Sequence, residues 1–198
     1  GAAAGDTYVG IEAISSTAYN DLLTGTNETN YFWAGSGDDQ LFGMGGFDNL
    51  DGAAGNDQIF GGAGDDYLYG GEGSDTIHAD GGNDTAYGGN GDDYFIATGG
   101  VLTAYGDLGN DLLYGGISAD RLDGGGGNDV LWGSYGNDAL YGGAGSDVLM
   151  GALIRALAGL KPPAVRDARR YEVAVASIVN IRSDCAGPAG HTFGQFLS

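Results

Sequence analysis

Apolar residues recur at every ninth position through most of the chain: Leu41, Leu50, Ile59, Leu68, Ile77, Ala86, Phe95, Ala104, Leu113, Leu122, Leu131, Leu140 and Leu149. Each stands between two residues of mixed character, and the six residues that separate these triplets are rich in Gly and Asp. Such a triplet predicts a short strand with its middle side chain inward. The six-residue stretch predicts a tight turn through positive φ. No single repeat can bury its own apolar residue, so the pattern predicts stacked units, two nonapeptides to a coil. The expected fold class is all-β, a parallel β-roll (a β-helix or solenoid) with a thin apolar spine between two sheets. The period runs without a slip from Ala34 to Met150, thirteen nonapeptides in all. Two looser copies in the same phase, 16–24 and 25–33, place the start of the array near Ser16.

The sixth position of the repeat is Asp in twelve of the thirteen copies. Because a coil takes two nonapeptides, the aspartates of alternate copies stack on one edge at the inter-strand spacing of roughly 4.8 Å. One edge then carries Asp39, Asp57, Asp75, Asp93, Asp111, Asp129 and Asp147. The other carries Asp48, Asp66, Asp84, Asp120 and Asp138, interrupted by Leu102 between Asp84 and Asp120. Carboxylates at that spacing repel by about 1 kcal/mol per neighbouring pair even in water. The roll is therefore expected to need cations to close. Calcium suits the task, since it takes six to eight oxygens in flexible geometry, whereas magnesium demands a stricter octahedron. Intervals bounded by Asp on both sides number six on the first edge and three on the second, which gives nine expected sites. Asp21 would extend the first edge, although its turn, 16–21, has no glycine.

The clearest copies are Gly61-Gly62-Ala63-Gly64-Asp65-Asp66-Tyr67-Leu68-Tyr69, Gly70-Gly71-Glu72-Gly73-Ser74-Asp75-Thr76-Ile77-His78 and Gly142-Gly143-Ala144-Gly145-Ser146-Asp147-Val148-Leu149-Met150. Read as G-G-x-G-x-D-x-U-x, they closely resemble the RTX family, the hemolysin-type calcium-binding repeats of secreted bacterial toxins, proteases, lipases and epimerases. The resemblance covers about two thirds of the chain. It implies calcium held between successive turns, multiple ions per chain, passage through a type I secretion apparatus, folding after export and a secreted, extracellular location.

Composition separates this array from the rest. Residues 1–150 hold 24 acids against a single base, Arg121, and 37 of the 42 glycines. Residues 151–198 hold six bases against three acids, all three prolines and the lone Cys185. The reading is thus three segments: 1–33, degenerate repeats or a cap; 34–150, the calcium-binding roll; and 151–198, a short mixed tail serving as a cap or an atypical secretion segment. In the tail the pattern predicts a helix over 152–160, stopped by Pro162 and Pro163, and a strand over 171–181. A net charge of −20 excludes a general binder of nucleic acid or of anionic membranes. No apolar run approaches a membrane span. The first residue is not Met, and a missing N-terminal domain is expected.

No catalytic motif accompanies the repeats: H-E-x-x-H, G-x-S-x-G and G-K-[ST] are all absent. The chain is therefore expected to have no catalysis of its own. The alternatives are an accessory part of a secreted enzyme (protease, lipase or polysaccharide epimerase) and a segment of an adhesin. His78 falls at an outward strand position and reads as a surface residue. The residues before the sixth-position Asp, such as Asp38, Asp65 and Asp92, read as turn residues. On one sheet the outward positions, Tyr94 and Ile96, Leu112 and Tyr114, Val130 and Trp132, Val148 and Met150, form an apolar face expected to be covered by the tail or by a partner. The opposite face is more polar.

Overall fold

The computed structural model describes residues 6–151. Within them the chain winds as a parallel β-solenoid of about eight turns, built from seventeen strands and no helix. Strands alternate between two sheets: odd-numbered ones form a nine-stranded sheet and even-numbered ones an eight-stranded sheet, each in sequence order. Every neighbour pair is parallel, and from Leu22 onward each residue pairs with the one two nonapeptides later: Leu41 faces Ile59, Ile59 faces Ile77, Phe95 faces Leu113.

The spine is the expected one. The eighth-position residues from Leu41 to Leu140 are almost completely buried, with Leu149 partly buried at the end of the array. Phe95, the largest of them, belongs to the same buried core as the two smallest, Ala86 and Ala104. The predicted helix over 152–160 and strand over 171–181 lie outside the described residues.

Two features depart from the expectation. The solenoid begins at Thr7–Val9, before Ser16, and its first coil is short: Tyr8 faces Leu23, three positions fewer than a full coil of two nonapeptides. Further, strands on the eight-stranded sheet lengthen in the middle of the array, to Asn83–Asn90 and Val101–Leu108, because the extended backbone there continues into the turn.

Outside the spine, ladders of like residues stack from coil to coil. Tyr69, Tyr87 and Tyr105 lie face to face at 5.2 and 5.0 Å on the eight-stranded sheet. Asp123 interrupts that ladder. Arg121 fills the gap, its guanidinium 4.3 Å from the Tyr141 ring centre and 5.7 Å from that of Tyr105, while pairing with Asp123 at 3.1 Å. On the nine-stranded sheet Phe42, Phe60 and His78 stack at 4.8 and 4.5 Å, which makes His78 a half-buried rung of a ladder. Further along, Trp132 is 40% exposed and Tyr114 half-buried, in edge contact with each other.

Candidate metal sites along the turn edges

The six-residue turns position the carboxylates. A turn that must climb one strand spacing while reversing direction needs left-handed backbone, and the fourth position supplies it: Gly73 has φ +124°. The turns stack so closely that a Cβ at Gly73 would overlap the carbonyl of Gly55 in the coil before. At the second position the same conformation is taken without glycine by Met44, Ala53, Asp80, Asp107 and Ser134, each bearing local strain.

Both predicted rows are present. Wherever the next coil carries a sixth-position Asp, the backbone N–H of the sixth-position residue before it donates to its Oδ1. On the first edge Asp39 donates to Asp57 (2.7 Å), Asp57 to Asp75, Asp75 to Asp93 and Asp93 to Asp111 (each 2.8 Å), Asp111 to Asp129 (2.9 Å) and Asp129 to Asp147 (3.1 Å). On the second, Asp48 donates to Asp66, Asp66 to Asp84 and Asp120 to Asp138, at 2.8 to 3.0 Å. All nine intervals counted in the sequence are bridged in this way. At the break the Leu102 side chain is buried in the spine, and its N–H still donates to Asp120 at 2.8 Å.

The second carboxylate oxygen is the telling one. Oδ2 of Asp39, Asp48, Asp57, Asp66, Asp75, Asp84, Asp93, Asp111, Asp120, Asp129 and Asp138 is buried and has no hydrogen-bond partner. An unpartnered buried carboxylate oxygen is costly. In the turns that begin with glycine it points into the cradle which that residue leaves. A Cβ on Gly61 would come within 2.7 Å of Asp66 Oδ2, and one on Gly115 within 2.6 Å of Asp120 Oδ2. Carbonyls of the following coil border the same space: Gly61 O lies 2.5 Å from a Cβ built on Gly43, and Gly124 O 2.5 Å from one built on Gly106. The first position is Ala at residues 34, 79 and 97, the last of these in the turn that carries Leu102. Among the described residues no three His, Cys, Asp or Glu side chains converge. A cation here would therefore be held by single carboxylate oxygens with backbone carbonyls, an all-oxygen set that fits a hard ion such as calcium.

Electrostatics agree. Burial pushes Asp57, Asp84 and Asp93 up to about 7, and Asp66, Asp75, Asp111 and Asp120 up to about 6, against the opposing pull of the N–H donor. Neighbouring carboxylates add to the shift at Asp57, Asp84 and Asp93. Asp39, Asp48, Asp129 and Asp138 are raised by burial as well.

Asp21 continues the first row, donating its N–H to Asp39 Oδ1 at 2.6 Å, but its own carboxylate differs. Oδ2 accepts from the Ser16 hydroxyl and from Thr17 N–H and Oγ1, and Oδ1 accepts from Asp6 N–H. Burial would raise it, yet these donors outweigh burial and hold it below the usual carboxylate range. The fifth position, read from sequence as a turn residue, forms a further exposed ladder of opposite sense. Asn56 N–H donates back to Asp38, Ser74 to Asn56, Asn110 to Asp92 and Asn128 to Asn110, at 2.7 to 2.9 Å. These side chains stitch coils together. The signal was the recurrence of Asn, Asp or Ser at the fifth position of alternate nonapeptides.

The fold and its rows of buried carboxylates thus define a solenoid whose edges are built for hard cations. The chain belongs to the RTX calcium-binding nonapeptide repeat family, whose model matches residues 15–50, 42–77, 69–101, 103–131 and 123–153. Repeats of this family bind calcium, and several repeats bind several ions. No curated protein and no solved structure matches the chain. No helix among the described residues is long and apolar enough to cross a membrane.

Proposed function

We propose that the roll is a calcium-driven folding module of an exported protein, without catalysis of its own. The observation that carries this reading is the line of eleven buried, unpartnered Oδ2 atoms. A chain with this many uncompensated carboxylates is poorly stable alone and gains stability from any ion that binds only its folded form. The ligands in this reading are Asp39, Asp48, Asp57, Asp66, Asp75, Asp84, Asp93, Asp111, Asp120, Asp129, Asp138 and Asp147, together with turn carbonyls. Calcium supplies the positive charge and the oxygen coordination. The chain's own part is to set Oδ1 on the neighbouring N–H, leave Oδ2 free and keep the first-position cradle open.

At the low free calcium of a cytoplasm such an array stays extended, a form suited to passage through a type I secretion apparatus. At extracellular calcium it closes. Family membership and the coupling of folding to calcium support this route and an extracellular location. Because each carboxylate bridges two coils, loading one interval orders the next, and binding is cooperative. Calorimetric titration of the full chain tests the reading. We expect several ions, a steep isotherm, and fewer ions with a shallower curve for Asp93→Asn. A single-site isotherm, or one unchanged in Asp93→Asn, would overturn it.

A further inference from the structure

We propose that the first coils, residues 7–33, are a metal-free cap that closes without calcium and templates the calcium-bound coils, which order from Asp39 and Asp48 toward the C-terminal end. This rests on the calcium-driven folding proposed above. The two sixth-position residues in the cap are Asp21 and Asn30, and at both the chain supplies what the later turns lack. Asp21 Oδ2 is satisfied by Ser16 and by Thr17, whose N–H and Oγ1 lie at 3.2 and 3.1 Å. Asn30 Oδ1 accepts the Thr26 N–H at 3.1 Å, and its Nδ2 donates to the Ile11 carbonyl one coil earlier at 3.0 Å. The cradle itself keeps its form at Asn30: a Cβ on Gly25 would meet Asn30 Oδ1 and lie 2.8 Å from the Gly43 carbonyl. Where later turns leave a bare carboxylate oxygen in the cradle, the cap thus has Asn30 Oδ1 with the Thr26 N–H on it, and the amide group ties the coil back to the Ile11 carbonyl.

The cap also has the other requirements of independent closure. Leu23 and Phe32 are buried, with Tyr8, Ile11 and Ile14 packed against them. Between residues 6 and 33 only Gly10 and Gly25 are glycine, so ordering costs less backbone entropy than in the array. Its free end presents the N–H groups of Asp21 and Asn30, which donate to Asp39 and Asp48 at 2.6 and 2.7 Å. These are the first carboxylates in each row whose Oδ2 is unpartnered.

Residue-resolved amide hydrogen exchange on the full chain, in chelator and across a calcium titration, tests the cap. In chelator, Leu22–Thr24 and Tyr31–Trp33 should exchange about tenfold or more slowly than an unstructured chain, while strands from Gln58 to Tyr141 exchange freely. Added calcium should protect Gln40–Phe42 and Asn49–Ala54 before Val130–Trp132 and Ala139–Tyr141. Asn30→Asp, which keeps the oxygen that accepts from Thr26 N–H but sets a second carboxylate oxygen against the Ile11 carbonyl in place of the Nδ2 donor, should make protection of Tyr31–Trp33 calcium-dependent. Free exchange of the cap in chelator, protection that spreads from the other end, or calcium-free protection that survives Asn30→Asp would overturn the cap proposal alone. If calcium protects none of the array, the folding module itself fails.

Discussion

Protons should substitute for calcium. In the metal-free roll three carboxyls, Asp57, Asp84 and Asp93, are pushed up to about 7, and four, Asp66, Asp75, Asp111 and Asp120, up to about 6, from an ordinary value of 3.8. At pH 5 the folded form therefore holds these seven protons nearly in full, and the unfolded chain holds almost none. A group whose folded value is raised favours the folded form most fully below the unfolded value, and that advantage disappears as pH rises through the folded value. Stability of the metal-free roll should thus increase from pH 8 down to about 4. Each proton taken up contributes about 1.4 kcal/mol per pH unit to the slope. Solvent screening along the turn edges reduces the total several-fold, to on the order of 3 kcal/mol per unit. Circular dichroism in chelator from pH 8 to 4 reads the gain, and calcium titration at pH 6 in two buffers of different ionisation enthalpy reads protons released per ion. A chain no more structured at pH 5 than at pH 8, together with calcium binding that releases no protons, would refute the argument.

Other substitutions test separate parts of the structure. Gly73→Ala places a Cβ against the Gly55 carbonyl at φ +124°, so it should cost on the order of 3 kcal/mol in a calcium-saturated denaturant titration. Leu102→Asp completes the second row: two more intervals should bind calcium, seen as a higher stoichiometry, while loss of the buried side chain costs about 3 kcal/mol that offsets part of the gain in a calcium-saturated denaturant titration. Arg121→Ala removes the bridge between Tyr105, Tyr141 and Asp123 and should lower stability by about 1 kcal/mol with calcium stoichiometry unchanged.

Most of the fold could be read from the chain because one period fixes strand, turn and stacking together. Leu41 to Leu149 mark the spine, and the coil of two nonapeptides places Asp39 above Asp57 and Leu102 at a break before any coordinate is known. What escaped the sequence has local causes. Tyr8 and Ile14, the inward residues of the first two strands, are six positions apart instead of nine, so periodicity alone misses that half-coil. Second-position glycine proved dispensable: Met44 and Ala53 hold the same left-handed backbone, because stacking against neighbouring coils over-determines it. The difference between Asp21 and the later aspartates depends on donors from Ser16 and Thr17, which the nonapeptide consensus does not contain. Simple repulsion between stacked carboxylates also proved too coarse a picture, since Oδ1 of each Asp in the rows is capped by an N–H and Oδ2 alone is left to need a cation.

The central claim, that calcium closes the roll, is tested most directly by far-UV circular dichroism and hydrodynamic radius of the full chain through a calcium titration, with magnesium at equal ionic strength as the control. The account predicts that calcium alone compacts an extended chain into β-structure with a steep midpoint. A chain already compact in chelator at neutral pH, or one that magnesium compacts equally well, would contradict it.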